Sequence, residues 1–427
     1  MRVHRQIKRA IQHKNLYLIT LGDYMFFNNE SEMQKWLESE LEEHRGLLSI
    51  IDNENEIRNF DAKSMAEKKI QDSFTLCLDN LESLHVISAD KNISIDKEDK
   101  LRPDIVAYSI DRNSLVIMEL KNIKGPTRQT GTELSAYAAE LKGYLSHLSD
   151  GDIINVIISC EWPVLLNHYV FNTIYWQHKN LICLEPFEDS SGCKKLRCRD
   201  IKKIIQSDIN ERFAFQHLEG FHISLHDRTL GNRPSRESRL HEKVDVIKAS
   251  MAMMAAESEK DHSHGFALLC QKDDITDAPY VITIVNVSGF ASIERHFHDE
   301  SFQTIADLPI IGRHIHEINE SFCNKGFSAS TLKTYSRAKG VLKKICYPRI
   351  ECPNNWLILQ AFTNYPHVDK VHIELWGVFK EKYFEFISDT AEDSDSLNLN
   401  DVDLIQCVID GLIYESYEHI RAGIYYE

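Results

Sequence analysis

The stretch RPDIVAYSIDRNSLVIMELKN, from Arg102 to Asn122, carries Asp104 near its start and Glu119 and Lys121 near its end. Between them lie two apolar segments, DIVAYS and SLVIMELK, joined by IDRN. They read as two antiparallel strands and a turn. Symmetric pairing about Asp111 and Arg112 sets Asp104 opposite Glu119 and Arg102 opposite Lys121. Opposed residues share a face, so Asp104, Glu119 and Lys121 converge at one end of the hairpin. Two opposed carboxylates repel, and burying them without partners costs free energy. A divalent cation removes the conflict. Hard oxygen ligands suit Mg²⁺, with Mn²⁺ able to replace it and water completing the shell. Such an ion lowers the pKa of a bound water and stabilises charge on an attacked phosphate. A lysine two residues beyond the second acid can orient that water, and it eases the repulsion between the acids.

The surrounding elements must hold this hairpin in place. The acidic segment ESEMQKWLESELEEH has Met33, Trp36, Leu37 and Leu41 at helical spacing. Before it, NLYLITL and DYMFF read as short strands. MAEKKIQDSFTLCLDNLESL is a second helix and HVISADKNISI a strand. After the hairpin, KGPTRQTG is a breaker-rich loop. TELSAYAAELKGYLSHL is a helix with Leu134, Tyr137, Leu141, Tyr144 and Leu145 on one side. DIINVIIS is an apolar strand of the kind buried on both faces, and NLICLEPF is another strand. From about residue 62 to 187 the order is therefore helix, three strands, helix, strand, strand.

Pro-Asp, fourteen intervening residues, then Glu-Leu-Lys resembles the active-site signature of the PD-(D/E)xK nucleases, the restriction-endonuclease-like superfamily. The resemblance covers roughly a third of the chain, and the element order around the motif is also similar. It implies that Asp104 and Glu119 ligate Mg²⁺, that Lys121 is the catalytic lysine and that the Leu120 carbonyl is a further ligand. Members often carry an acid on the helix before the sheet. Glu67 is the first candidate for it and Glu32 the second. Many members have Gln before a Tyr on the following helix, whereas ELSAY has Glu133 before Tyr137. That departure leaves open whether Glu133 helps hold metal or faces solvent. The implied activity is a metal-dependent endonuclease acting on DNA. By family analogy it is a restriction or anti-phage defence effector. The competing readings are a catalytically inactive nucleic-acid-binding or regulatory protein on a nuclease-like scaffold, and a nuclease directed at RNA.

The chain has 427 residues, which argues for more than one core. Three regions are expected: an N-terminal extension over 1–61, the α/β nuclease-like domain over 62–199, and a second α/β domain over 200–427. The last would recognise substrate or gate the first through a partner or a homo-oligomer. Within it LHEKVDVIKASMAMMAA reads as a helix, and YVITIVNVSGF, WLILQAF and VHIELWGVF as strands. SDTAEDSDSLNLND reads as an acidic loop. Net charge is −16, which argues weakly against nucleic acid because binding depends on local fields. Residues 321–350 hold seven Lys or Arg and no acid. Lys333, Arg337, Lys339, Lys343 and Lys344 could follow a phosphate backbone, with Tyr335 and Tyr347 available for stacking. The plainer reading is a solvated helix face paired with nearby acids. RVHRQIKR and CKKLRCRDIKK are two further basic stretches.

Three His-x-His triplets, at His262/His264, His296/His298 and His314/His316, would each share a face if they lay on strands. Satisfied or exposed histidines are the simpler account, since no Cys pairs support zinc. Ten scattered cysteines fit reduced thiols in a cytoplasmic protein, with Cys160 and Cys183 as core residues. No apolar run is long enough for a membrane span, and MRVHRQIKRAIQHK makes a poor secretory signal.

Overall fold

The computed structural model describes residues 26–96, 98, 100–122, 128–205, 213–227, 239–272, 276–289, 304–321, 328–391 and 401–414. The expected strand NLYLITL, most of DYMFF, the first half of the loop KGPTRQTG, His296 and His298, and most of the acidic loop lie outside these residues; the second half of KGPTRQTG, residues 128–131, is helical. The chain is mixed α/β and divides into two compact units, Met1–Ile209 and Asn210–Glu427. Among the described residues no helix is long and apolar enough to cross a membrane.

The first unit is built on a six-stranded sheet. Its strands are β1 (Leu84–Ala89), β2 (Ile105–Ser109), β3 (Ser114–Lys121), β4 (Ile153–Ser159), β5 (Leu181–Glu188) and β6 (Lys194–Cys198). They lie side by side in that order. β3, β4 and β5 are parallel, and the outer pairings are antiparallel. Every residue of β4 is buried. This is why IINVIIS shows no polar alternation: both faces of a central parallel strand are covered. Each fully buried Ile or Val contributes about 2 kcal/mol relative to an exposed one.

Helix α1 (Glu30–His44) is capped by the Asn29 side chain and buries Met33, Leu37 and Leu41. α2 (Glu54–Arg58) and α3 (Met65–Asp79) follow, and α3 buries Ile70, Phe74, Cys77 and Leu78. Residues 30–61, expected as an extension, are woven into this unit. The Asn122 side chain donates to the Phe27 carbonyl at 2.8 Å. Asp52 N donates to Leu196 O, and the Asn53 side chain bonds both backbone groups of Cys198. Gly46 sits so close to the Glu82 carbonyl that a Cβ would lie 1.9 Å from its oxygen.

The β2–β3 turn closes through Asn113, whose N–H donates to Ser109 O and whose φ is +56°. Asn tolerates that left-handed geometry better than most residues. α4 (Arg128–Tyr144) and α5 (Val164–Phe171) follow β3 and β4. Leu134 and Tyr137 of α4 are buried, but Tyr144 and Leu145 are 58% and 48% exposed. The apolar stripe of that helix therefore ends earlier than its spacing suggests.

The second unit holds a five-stranded antiparallel sheet. Its strands are β8 (Leu218–His226), β9 (Gly265–Lys272), β10 (Tyr280–Val287), β11 (Tyr347–Asn355) and β12 (Val368–Trp376), in the order β11-β8-β10-β9-β12. A small pair, β7 (Phe213–Ala214) with β13 (Ile413–Tyr414), lies beside it in the same unit. α6 (Val244–Lys260) and α8 (Ala329–Ile345) pack on one face of the main sheet, burying Met251, Met254, Tyr335 and Leu342 against Phe221 and Ile223. α7 (Ile310–Ser321) precedes α8. WLILQAF forms helix α9 (Trp356–Thr363) rather than a strand. Asn355 caps it by accepting from Ile358 N, and Trp356, Leu359 and Thr363 are buried at helical spacing. A short apolar run fits either period, and here the cap decides. α10 (Val378–Ala391) and α11 (Val402–Leu412) complete the unit.

Candidate active site

The observed register pairs Ile105 with Met118 and Ser109 with Ser114. Continued by one residue, it sets Asp104 opposite Glu119, as the symmetric pairing of the sequence requires. One step further, Pro103 stands opposite Leu120. Proline has no N–H, so the Leu120 carbonyl receives no ladder bond from that position. The Leu120 N–H is taken instead by Asp104 Oδ2 at 2.7 Å. The N–H and C=O of one strand residue point to the same side. The Leu120 carbonyl is thus turned toward Asp104, beyond the end of β2. Pro103 and Asp104 together end the ladder and leave oxygen atoms where it stops.

Glu119 is 3% exposed. Lys121 Nζ lies 2.5 Å from Glu119 Oε1 and 3.5 Å from Glu133 Oε2 on α4. Glu119 Oε2 is buried without a hydrogen-bond partner. Burial and the neighbouring Asp104 charge push the Glu119 carboxyl up, to about 8. Burial raises Asp104 to about 6, against the pull of the Leu120 N–H. Burial alone would lower Lys121, but Glu119 and the other acids outweigh it and hold the ammonium up at about 12. Burial and the same acids also raise the Tyr137 hydroxyl, which donates to the Arg102 carbonyl at 3.0 Å and so braces the segment entering Pro103.

Asp104, Glu119, Lys121 and Glu133 thus meet at one end of β3. Glu133 faces Lys121 rather than open solvent. Glu67 is not brought to them. Its carboxylate accepts from Lys63 N at 2.6 Å, and its own N–H donates to Ser64 Oγ, so it closes the N-terminus of α3. Glu32 is likewise engaged elsewhere, with Asn28 N at 2.9 Å and with Lys194. Besides Glu133, an acid whose charge reaches both Asp104 and Lys121 is Glu30, in the first turn of α1. One turn on, Gln34 donates to the Asp104 carbonyl at 3.2 Å. A signal for Glu30 was present in the sequence. It lies three residues before Met33 and seven before Leu37, in line with the apolar stripe.

Asp104 and Glu119 offer hard oxygen ligands, and the unpartnered Glu119 oxygen and the Leu120 carbonyl add to that set. This chemistry fits Mg²⁺ or Mn²⁺. Among the described residues no three His, Cys, Asp or Glu side chains are closed around a metal-sized position. The Lys121 ammonium instead neutralises Glu119.

The basic block on α8 is partly neutralised. Lys333 pairs with Asp261 and Glu257, and Arg337 with Glu257. Lys339, Lys343 and Lys344 are exposed. Tyr335, considered for stacking, is a core residue at 4% exposure. His314 and His316 lie on helix α7, where residues two apart do not share a face. His264 Nδ1 accepts from Val378 N at 3.1 Å. Cys183 is buried, and the Cys160 thiol donates to Asn122 Oδ1. No protein-family model, no curated protein and no solved structure matches the chain.

Proposed function

We propose that the first unit is a Mg²⁺-dependent phosphodiesterase acting on DNA, with Mn²⁺ able to replace Mg²⁺. The observation that carries the reading is the buried Asp104–Glu119 pair, whose mutual repulsion Lys121 relieves on one oxygen only. Pairing in that form is poorly explained by stability, because buried charges are costly unless fully satisfied. The element order α3-β1-β2-β3-α4-β4 supports a restriction-endonuclease-like core.

Asp104, Glu119 and the Leu120 carbonyl would hold the metal, which supplies an acidified water and charge stabilisation at the phosphate. Asp104 is aimed by the Leu120 N–H and, through its backbone, by Gln34. Lys121 donates protons from a position between Glu119 and Glu133, so it can orient a water or hold negative charge on the reacting oxygens. Glu133 keeps Lys121 at that end of β3. A defence role follows from family analogy alone.

A second reading, binding without cleavage, is favoured by the 2.5 Å closure of Lys121 on Glu119, which satisfies the charge without metal. Incubation with plasmid, single-stranded DNA and RNA in Mg²⁺, Mn²⁺ or EDTA separates the two. Metal-dependent cutting that disappears in Glu119→Ala and Lys121→Ala supports the enzyme. Binding with no cutting by the wild type in any metal supports the scaffold reading.

A further inference from the structure

Two levels of the first sheet run from the acid cluster to its far edge. Glu119 pairs with Ile157 and Ile157 with Cys183, whose carbonyl accepts from Arg199 N at 2.9 Å. One level on, Lys121 pairs with Ser159; the same register sets Ser159 beside Glu185, which pairs with Arg197. Residues at one level share a face. Glu119, Lys121, Arg197 and Arg199 therefore project from the same face of the sheet. Three strand spacings of about 4.8 Å separate the acid cluster from the arginines, about 14 Å in all.

The arginines are built into position. Arg199 Nη1 lies 2.7 Å from Glu185 Oε1, and Arg197 Nε lies 3.4 Å from Glu185 Oε2. The Arg199 guanidinium stacks over the Trp162 ring at 4.8 Å. One carboxylate between two guanidinium groups leaves a net positive charge. Arg199 Nε and Trp162 Nε1 are buried donors without partners. The Arg197 side chain is 55% exposed. Exposed Lys202 and Lys203 follow in the next turn. Surplus positive charge on the exposed Arg197 and an aromatic face beside Arg199 together ask for a ligand with anionic oxygens and a planar ring.

We propose that Arg197, Arg199 and Trp162 form a subsite for one nucleic-acid strand on the same face as Glu119 and Lys121. Arg197 takes a backbone phosphate through its exposed fork. Trp162 offers a platform for a base, and Arg199 and Glu185 position both. The sheet register sets this subsite three strands, about 14 Å, from the acid cluster. The proposal rests on the phosphodiesterase reading for the class of ligand, but its test requires no cleavage.

The experiment measures fluorescence anisotropy of a labelled twelve-nucleotide single-stranded DNA on the full chain in EDTA across a salt series. Wild type is expected to bind with a negative salt slope. Arg197→Ala should weaken binding and shorten the slope by about 0.7, the contribution of one phosphate on a single strand. Trp162→Ala should weaken binding about tenfold without changing the slope, and Trp162→Phe should restore most of it. Unaltered melting temperature and circular dichroism of Arg197→Ala exclude a folding defect. Unchanged affinity and slope in Arg197→Ala, with wild type still bound, overturn the subsite and leave the phosphodiesterase reading intact. Absence of binding by wild type also overturns the subsite, while the phosphodiesterase reading is decided separately by metal-dependent cutting.

Discussion

Lys121 Nζ touches one oxygen of Glu119 at 2.5 Å, while the other oxygen of that carboxylate is sealed in the protein without a partner. The pair is half satisfied, and its unsatisfied half lies on the hairpin end shared with Asp104.

Stability should depend on pH and on metal together. The Glu119 carboxyl is raised from 4.5 to about 8, and Asp104 from 3.8 to about 6. A raised acid binds its proton more tightly in the folded state than in the unfolded state. The associated stability is fully present below the unfolded values, near pH 4, and is lost as pH rises through about 6 and then about 8. Mg²⁺ or Mn²⁺ bound by the ionised acids would counter that loss. Melting curves at pH 5, 7 and 9, in EDTA and in excess metal, should show a metal-induced rise that grows with pH. Equal shifts at pH 5 and pH 9 would contradict it.

Glu30 and Glu67 should separate cleanly. Glu30→Gln removes a charge that acts on Asp104 and Lys121, so cleavage should fall by about tenfold and require more Mg²⁺. Glu67→Gln weakens the cap of α3 and should cost about 1 kcal/mol of stability with cleavage near the wild-type rate. Metal titrations of both variants, alongside urea melts, check the contrast.

Tyr137→Phe deletes the bond to the Arg102 carbonyl and leaves a backbone oxygen short of a donor. A loss of about 1 kcal/mol is expected. Because Arg102 precedes Pro103 and Asp104, kcat should fall while KM for substrate changes little. A fall confined to KM would place Tyr137 on substrate instead.

Gly131 lets α4 approach α5: a Cβ there would lie 2.5 Å from the Tyr169 ring. Gly131→Ala should push the helix outward, destabilising the unit by about 1–3 kcal/mol. Glu133 and Tyr137 ride on α4, so activity should fall together with stability. Tyr169→Leu in the same chain, which removes most of the obstruction, should recover part of both.

The hairpin was legible because a strand has a period of two and its turn fixes the register. Once IDRN is taken as the turn, Asp104 must face Glu119. The meaning of Pro103 was less visible, since a missing N–H matters only when the partner carbonyl is known to be Leu120. Glu67 misled because it shares the buried stripe of α3, yet its carboxylate folds back on the helix end. Glu30 required knowing where the first turn of α1 comes to rest, which is decided by contacts distant in sequence. WLILQAF shows the limit of short apolar runs, where the Asn355 cap outweighs the β-like composition. Residues 30–61 read as an extension because their bonds reach Leu81, Leu196 and Cys198, far along the chain.

The placement of β6 has a consequence for solubility. An outermost strand offers unpaired backbone groups to any other chain that can add a strand, which is how sheets polymerise. Here Asp52 N caps the Leu196 carbonyl, Ile51 bridges Leu196, and Lys194, Lys195 and Arg197 line the same short strand. Lys194 and Lys195 are held by Glu32 and Asp189, so the strand ends in charged, hydrated groups that an added strand would have to desolvate. That edge is therefore guarded against runaway self-association by its capped backbone and its paired charges.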